Sequence, residues 1–383
     1  MTRRPKVGIV GVVIRPSIDD DGLRTLEELL HEAMQATLAD AKLGVDDLGG
    51  IVVAANDQYD GRAISIMMAS GPLGGVDRDI LSTPSAGEHA LVLGALRVLS
   101  GQFETQLVAA WSPTEASSIP EAQRLAADPY YHRRLPLDEL AAAALQANAI
   151  EHAAPGAGSL AGRVLAKNRA NGAEAYPGRV DAAITLGRAT RWPLRVGMVP
   201  EPCAGLVVMM LASEAFIAER GLGPVAWISG MGWATEPAFL GDRNLASAPA
   251  LEAAAKQAYR AAGIEDARGA FDLAEVTDVT AYQELLALEA LGIAGRGEWA
   301  QRMGDFAADG AMPVNLSGGV GSFNPVFCTG LVRIAEVAQQ VRGRAGRHQK
   351  ADVKRGLAHA ASGPAMQYQA VFVLDSTNGR EAA

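Results

Sequence analysis

The sequence predicts a layered α/β fold built from two similar halves, and three observations carry that prediction. Two apolar, glycine-punctuated strand candidates, Val7-Gly-Ile-Val-Gly-Val-Val and Val225-Ala-Trp-Ile-Ser-Gly-Met, each open a half, as an internal duplication would. Later in each half, small residues give way to a helical apolar stretch that stops at glycine, Ser85 to Gly101 and Cys328 to Gly343. Each closing glycine stands where a helix C-cap is expected. Strand and helix signals alternate in both halves, which argues for mainly parallel strands. Packed together, the halves make five layers (α-β-α-β-α), divided here into 1–222 and 223–383.

Taken in order, Val7 to Ile14 is the first strand. The opening MTRRPKVGIVGVVIRPS has the basic-then-apolar outline of a signal peptide, but Arg15 ends the apolar stretch and no A-x-A site follows. Ala90 to Leu99 is apolar at nearly every position, so this helix has no polar face for water and must be enclosed on all sides. Leu107 to Trp111 is the next strand. Residues from Pro113 to about 180 hold few β-branched runs and many polar and small residues, which reads as an inserted loop region. The longest apolar run, Ala204 to Ala212, has nine residues, about half of the roughly 20 a membrane span requires. It is expected to be a buried strand. Ala370 to Leu374 is the strand expected after the second helix.

The chain has 383 residues, 34 Lys+Arg against 43 Asp+Glu, and a formal net charge of -9. A protein this acidic has no global attraction for phosphate backbones or anionic lipid, so neither nucleic acid nor membrane is an expected partner. Cys203 and Cys328 are the two cysteines, without a CxxC, and the six histidines are scattered. Sequence neighbours therefore build neither a disulfide framework nor a zinc site, which fits a reducing cytoplasm. Against this acidic background, Arg163, Lys167, Arg169, Arg179, Arg188, Arg191 and Arg195 face only Glu174 and Asp181 between residues 163 and 195. The stretch is either a dock for a phosphorylated ligand such as coenzyme A, or a solvated face or subunit contact.

Several segments resemble the thiolase superfamily, in particular its sterol-carrier-protein and lipid-transfer branch. Lys167-Asn-Arg-Ala-Asn-Gly172 is similar to KNHxNG. Pro193-Leu194 with Ala204 to Ser213 is similar to PL…DGAAAVVLAS, Glu289 to Glu298 to EALGLCGRGE, and Pro313 to Gly319 to PVNPSGG. Asn324-Pro-Val-Phe-Cys-Thr-Gly330 stands where the family has HPLGATG, followed by the QLRG-like Gln340 to Gly343. The resemblance runs in order over almost the whole chain. It implies a thiolase fold with a two-fold repeat, a homodimer, and an acyl-CoA entering beside the loop region, with Arg163, Lys167, Arg169 and Arg191 as contacts for the CoA phosphates. No covalently held cofactor is implied; the CoA thioester is substrate or ligand.

At the decisive places the sequence departs from the family. Aligning Gly87 with the glycine of CxSG puts Pro84 on the nucleophile. Proline has neither a thiol nor a backbone N–H, so the attacking group and an oxyanion donor are lost together. HDCF is Thr277-Asp-Val-Thr280, HP is Asn324-Pro325, and Ala360 stands where a second cysteine or an asparagine would be. An amide at Asn324 can donate to an oxyanion but is no base near neutral pH. Asn324 therefore leads the candidates, with Asp278 as a base if desolvation raises its pKa. His359 precedes the terminal glycine turn. Cys328, at the expected start of the second helix, is a substitute nucleophile or a small buried thiol. Ser85 is an N-cap or a nucleophile. His89, with Glu88 on the first turn of the buried helix, is a proton-transfer group or a core histidine. Thr280 and Tyr282 are weaker donors, and Ser317 to Ser322 forms a tight glycine loop without a nucleotide fingerprint.

Two functions compete. One is an acyl-CoA enzyme that kept the site and changed the chemistry, for instance to a retro-aldol reaction, which needs no acyl-enzyme. Thiolase-like lyases of steroid side-chain breakdown are similar in lacking the cysteine and act with an OB-fold, zinc-ribbon partner, but Thr277 and Phe327 stand where their tyrosines would be. The other is a non-catalytic acyl-CoA-binding or structural subunit of a hetero-oligomeric thiolase-like complex.

Overall fold

A computed structural model describes residues 6–16, 24–61, 63–112, 118–182, 187 and 189–378. The nine strands of its main sheet are β1 (Val7–Arg15), β2 (Gly50–Ala54), β3 (Asp79–Thr83), β4 (Thr105–Ser112), β5 (Gly205–Ser213), β6 (Ala226–Thr235), β7 (Leu273–Val276), β8 (Arg355–Ser362) and β9 (Tyr368–Asp375). The principal helices are α1 (Leu26–Ala41), α2 (Gly87–Leu99), α3 (Ile119–Ala126), α4 (Glu139–Ala153), α5 (Ala157–Ala175), α6 (Pro249–Ala262), α7 (Ala281–Ala290) and α8 (Thr329–Val341). The sheet order is β3-β2-β4-β5-β1-β6-β9-β8-β7.

The repeat appears in the pairing. Outward from the centre, β1-β5-β4-β2-β3 runs antiparallel, antiparallel, parallel, parallel. On the other side, β6-β9-β8-β7 runs antiparallel, antiparallel, parallel, and a parallel bridge from Ala274 to Val314 stands where a fifth strand would. Antiparallel β1 and β6 join the two sets. The expectation of mainly parallel strands is thus wrong: five of the eight strand pairs of the main sheet are antiparallel. An apolar run reports burial of both faces but carries no information about direction.

Period-two alternation sends successive residues of each strand to opposite faces, and this sorts the core into layers. Val10, Leu107, Ala109, Leu206 and Val208 pack outward on α1. Val52, Val108, Val207, Ala358, Ala370 and Phe372 pack inward on α2 and α8. Leu357, Val371 and Val373 pack on α6 and α7. Five layers result, with α2 and α8 in the middle. Two glycines let those helices touch. A Cβ on Gly87 would lie 2.8 Å from Leu331 Cβ, and one on Gly330 would lie 2.5 Å from Glu88 Oε2. The enclosure of α2 is incomplete, since Leu96 is 40% exposed along one edge.

Two further expectations need correction. The inserted region is not loop but carries α3, α4 and α5; stretches such as Glu139-Leu-Ala-Ala-Ala-Ala-Leu-Gln-Ala are strong helix formers, because alanine loses no side-chain entropy. The strand after the second buried helix is β8, Arg-Gly-Leu-Ala-His-Ala-Ala-Ser, and not the later β9. With no β-branched residue, β8 has little intrinsic strand preference and owes its conformation to two flanking partners.

Candidate functional site

The carboxyl end of β7 opens, through Asp278, beside α5 and the glycine loop, the kind of place where α/β sheets commonly bind ligands. A cleft of about 510 Å³ lies there. Leu165, Asn168 and Arg169, spaced for one face of α5, form one wall. Asp278, Asn324, Glu201 and Cys203 reach it from other segments, and Arg179 adds a second positive charge.

Asp278 is 6% exposed. Its Oδ2 accepts from Asn168 Nδ2 at 2.7 Å and its Oδ1 from the Val320 amide at 2.8 Å. Gly319, at φ +66°, has to be glycine, because a Cβ would press on this carboxyl. Behind it, Glu284 accepts from Asn168 at 2.7 Å and Asn315 at 2.8 Å, and pairs with Lys167 Nζ at 2.9 Å. Burial first, and the Glu284 carboxylate second, push Asp278 up to about 8. A carboxyl titrating there can give or take a proton near neutral pH.

Asn324 is 8% exposed. Its amide donates to the Pro200 carbonyl and accepts from Thr329 Oγ1, both at 3.3 Å. A side-chain amide carries two N–H donors, so one remains for a ligand oxygen. The glycine loop between these residues is anchored from beneath: Ser317 donates to Glu275 by its amide at 2.9 Å and its hydroxyl at 2.6 Å, and buried Arg333 donates to Glu275 at 2.9 Å.

Of the residues singled out from sequence, Asn324, Asp278 and Arg169 meet at this cleft. Lys167 does not serve it, because its ammonium is bound to Glu284 and the Val314 carbonyl. Arg163 is exposed outside the lining, Arg191 pairs with Asp138 at 3.2 Å, and Arg188 lies outside the described residues. His359 points away. It is fully buried on the α6/α7 side of the sheet, opposite Ala358 and Ala360, and its Nε2 donates to Gln369 Oε1 at 2.8 Å; burial holds it down at about 4. Cys328 is fully buried, and burial pushes its thiol well above the ordinary range, the reverse of an activated nucleophile.

Ser85 is not the N-cap. That position is Ala86, while Ser85 Oγ pairs with Thr83 Oγ1 at 2.6 Å. Pro84 is exposed, its carbonyl accepting from Asn56. His89 packs edge-on against Tyr368 with its ring nitrogen 3.6 Å from Glu88. Tyr282 is core, and burial pushes its hydroxyl up to about 12. Asn168 went unnoticed as a functional residue; its place in Lys167-Asn-Arg-Ala-Asn-Gly was the available signal. Among the described residues no cluster of His, Cys, Asp and Glu is arranged to hold a metal ion, and no helix is long and apolar enough to cross a membrane.

Residues 234–376 match the family described as thiolase C-terminal domain-like. An acetyl-CoA acetyltransferase of Methanothermobacter thermautotrophicus is 35% identical over 124 residues, 32% of either protein. Human sterol carrier protein 2 is 31% identical over 163 residues, 40% of this chain and 29% of that one. The matches thus span a third or less of these relatives' length. Among solved structures, an Ltp2-ChsH2(DUF35) aldolase superposes with TM-score 0.80 at 20% identity over 98% of both chains. A monomeric SCP2-thiolase-like protein from Mycobacterium smegmatis gives 0.71 at 18% identity over 97% of this chain and 78% of that one. Five layers and a doubled strand order agree with these structures: the chain has the thiolase fold, and its residues 234–376 are thiolase C-terminal domain-like.

Proposed function

We propose that the cleft binds an acyl-CoA and that the protein acts on the thioester by carbon–carbon bond chemistry of the retro-aldol type, without an acyl-enzyme. The observation that carries this reading is one cleft with Arg169 and Arg179 available for phosphate oxygens and Asp278 and Asn324 for the thioester end. A retro-aldol cleavage needs a group that moves protons and a donor for the developing enolate oxygen. Asp278, pushed up to about 8, fits the first role, and the spare Asn324 N–H fits the second. Covalent transfer is disfavoured at three places together, since Pro84 has no nucleophile, Cys328 is a buried thiol, and His359 faces another layer.

The same losses favour a second reading, a non-catalytic CoA-binding subunit. A homodimer and an OB-fold, zinc-ribbon partner belong to the proposal as well. The aldolase neighbour is named as a complex and the mycobacterial one as a monomer, so light scattering on the purified chain decides between them.

Calorimetry with free CoA and with a longer acyl-CoA tests the shared premise. Binding of both is expected, weakened about tenfold or more in an Arg169→Ala/Arg179→Ala double variant, as for lost charged hydrogen bonds. No heat at millimolar ligand would remove the acyl-CoA reading. Intact mass after exposure to acetyl-CoA is expected to show no adduct.

A further inference from the structure

The buried end of the cleft holds more carboxyl groups than cations. Glu275, Glu284 and Glu336 are almost fully buried, and each has a basic side chain of its own, Arg333, Lys167 and His348 respectively, every one at 2.9 Å. Asp278 is the fourth carboxyl of this cluster. It lines the cleft, and among the described residues no cation lies within ion-pairing distance of it.

One side chain ties Asp278 to its neighbour. Both N–H bonds of the Asn168 amide are spent on carboxyl oxygens, Asp278 Oδ2 and Glu284 Oε2, each at 2.7 Å. Glu284 also accepts from Asn315 Nδ2 at 2.8 Å, beside its ion pair with Lys167. A carboxyl given a cation and two amide donors keeps its charge, and of two carboxyls joined through one amide, the one without a cation takes the proton. The donors are themselves fixed. Lys167 donates to the Val314 carbonyl at 2.6 Å, Asn171 to the Asn315 carbonyl at 2.9 Å, and Asn315 Oδ1 accepts from the Val276 amide at 2.8 Å. Residues 167, 168 and 171 share one face of α5, which thus clamps both carboxyls and the start of the glycine loop. The other charges facing Asp278 are Arg333 from α8, committed to Glu275, and Arg169, Arg179 and Glu201 around the cleft.

We propose that Asn168, Glu284 and Lys167 are positioning residues of the CoA-ester reaction: they keep Glu284 ionised and leave the one exchangeable proton of the cluster on Asp278, at the cleft. What that proton then does rests on the acyl-CoA reading. In the enolising step the Cα–H bond of the bound thioester breaks, its proton passes to the Asp278 carboxylate, and its electron pair moves onto the thioester oxygen. The reverse transfer rebuilds the bond at Cα from the Asp278 O–H, after that proton has exchanged with solvent in the cleft. No oxidant or reductant is consumed. The three positioning side chains touch no reacting atom and act through the fraction of Asp278 that is ionised.

The test has two arms, both on the full chain. In the first, carbon-13 NMR of the aspartate carboxyls follows the titration of Asp278 in the free protein, its signal identified by loss in Asp278→Asn. Glu284→Gln removes the neighbouring anion, and Asp278 is expected to hold its proton about tenfold or more weakly; Lys167→Met strips Glu284 of its cation, and the proton is expected to be held about tenfold or more strongly. Asn168→Ala moves the midpoint the same way as Lys167→Met, and Lys167→Arg restores it. The double variant Lys167→Met/Glu284→Gln leaves neither partner unpaired and falls between the two single variants, so the comparison survives if one of them does not fold. In the second arm, propionyl-CoA in D2O is followed for deuterium at Cα by mass spectrometry across pH, with calorimetric affinity alongside. Exchange is expected to rise with pH as Asp278 ionises, the rise moving to lower pH in Glu284→Gln and to higher pH in Lys167→Met, with affinity within about twofold. A merely structural role would lower the rate without moving the profile. An Asp278 that titrates in the ordinary aspartate range, or a midpoint that moves by less than about twofold in every variant, overturns the proposal. An exchange profile that stays in place while the midpoint moves, or an ester that binds and does not exchange, overturns the role in the reaction and leaves acyl-CoA binding intact. Absence of binding removes the parent reading, and the NMR midpoints still decide whether these residues place the proton.

Discussion

Helices α2 and α8 are the same element of the repeat, and they differ at the positions that matter. Each carries a glycine in its first turn that the other helix packs upon: Leu331, after Gly330, lies against Gly87, and Glu88, after Gly87, lies against Gly330. Glu88 and Leu331 are therefore counterparts, one a carboxylate and one a leucine in the same apolar layer. Aligned on these glycines, buried Arg333 of α8 corresponds to Ala90 of α2. The strand ends diverge likewise. Two residues beyond β2 stands Asn56, which caps a short helix by accepting from the Gln58 and Tyr59 amides; two residues beyond β7 stands Asp278. Packing asks the same of both repeats, so charge present in one and absent from its equivalent has a cause other than packing.

Converting each such residue into its counterpart separates the causes. The largest effect is expected from Arg333→Ala. It leaves Glu275 buried without its cation, at about 3–5 kcal/mol, read from denaturant midpoints at neutral pH. A loss below about 1 kcal/mol would mean that the buried pair does not hold the glycine loop.

Asp278→Asn comes next and is seen in the pH dependence. The folded-state affinity of Asp278 for its proton is raised from 3.8 to about 8. Its contribution is therefore fully present below the unfolded value and is lost as pH rises through about 8. Wild type should lose stability relative to Asp278→Asn between about pH 4 and 8, by a few kcal/mol at about 1.4 kcal/mol per tenfold change in proton affinity. Parallel curves for the two proteins would show that Asp278 is not the buried acid described above.

The smallest effect, and the most telling in sign, is that of Glu88→Leu. Replacing a poorly paired buried carboxylate by its apolar counterpart should raise stability by about 1 kcal/mol, measured by urea unfolding. A loss of similar size would make Glu88 a structural residue.

The sequence made some of this legible and hid the rest for physical reasons. The β1 and β5 strands and the paired buried helices follow from apolar runs long enough to fill both faces of a layer. Strand direction does not, and β8 hides behind residues with no strand preference. Alternation could have warned that His359 and Ala360 face opposite ways, so a histidine beside a site position in sequence is not beside it in space. Asn324 and Asp278 were accessible through the resemblance. Lys167 and Ser85 were misleading, because each has a strong local partner, Glu284 and Thr83, that no spacing reveals. Glu88 sat in view on the first turn of α2, but its hydrogen-bond partner, Ser362, is 274 residues away.

The most direct test of the central claim is a structure of the protein with a bound acyl-CoA. The account predicts the diphosphate against Arg169 and Arg179, the thioester oxygen within hydrogen-bond reach of Asn324, and no bond between ligand and protein. An acyl group attached to Cys328 or Ser85, or a ligand seated away from the Asp278 cleft, would contradict it.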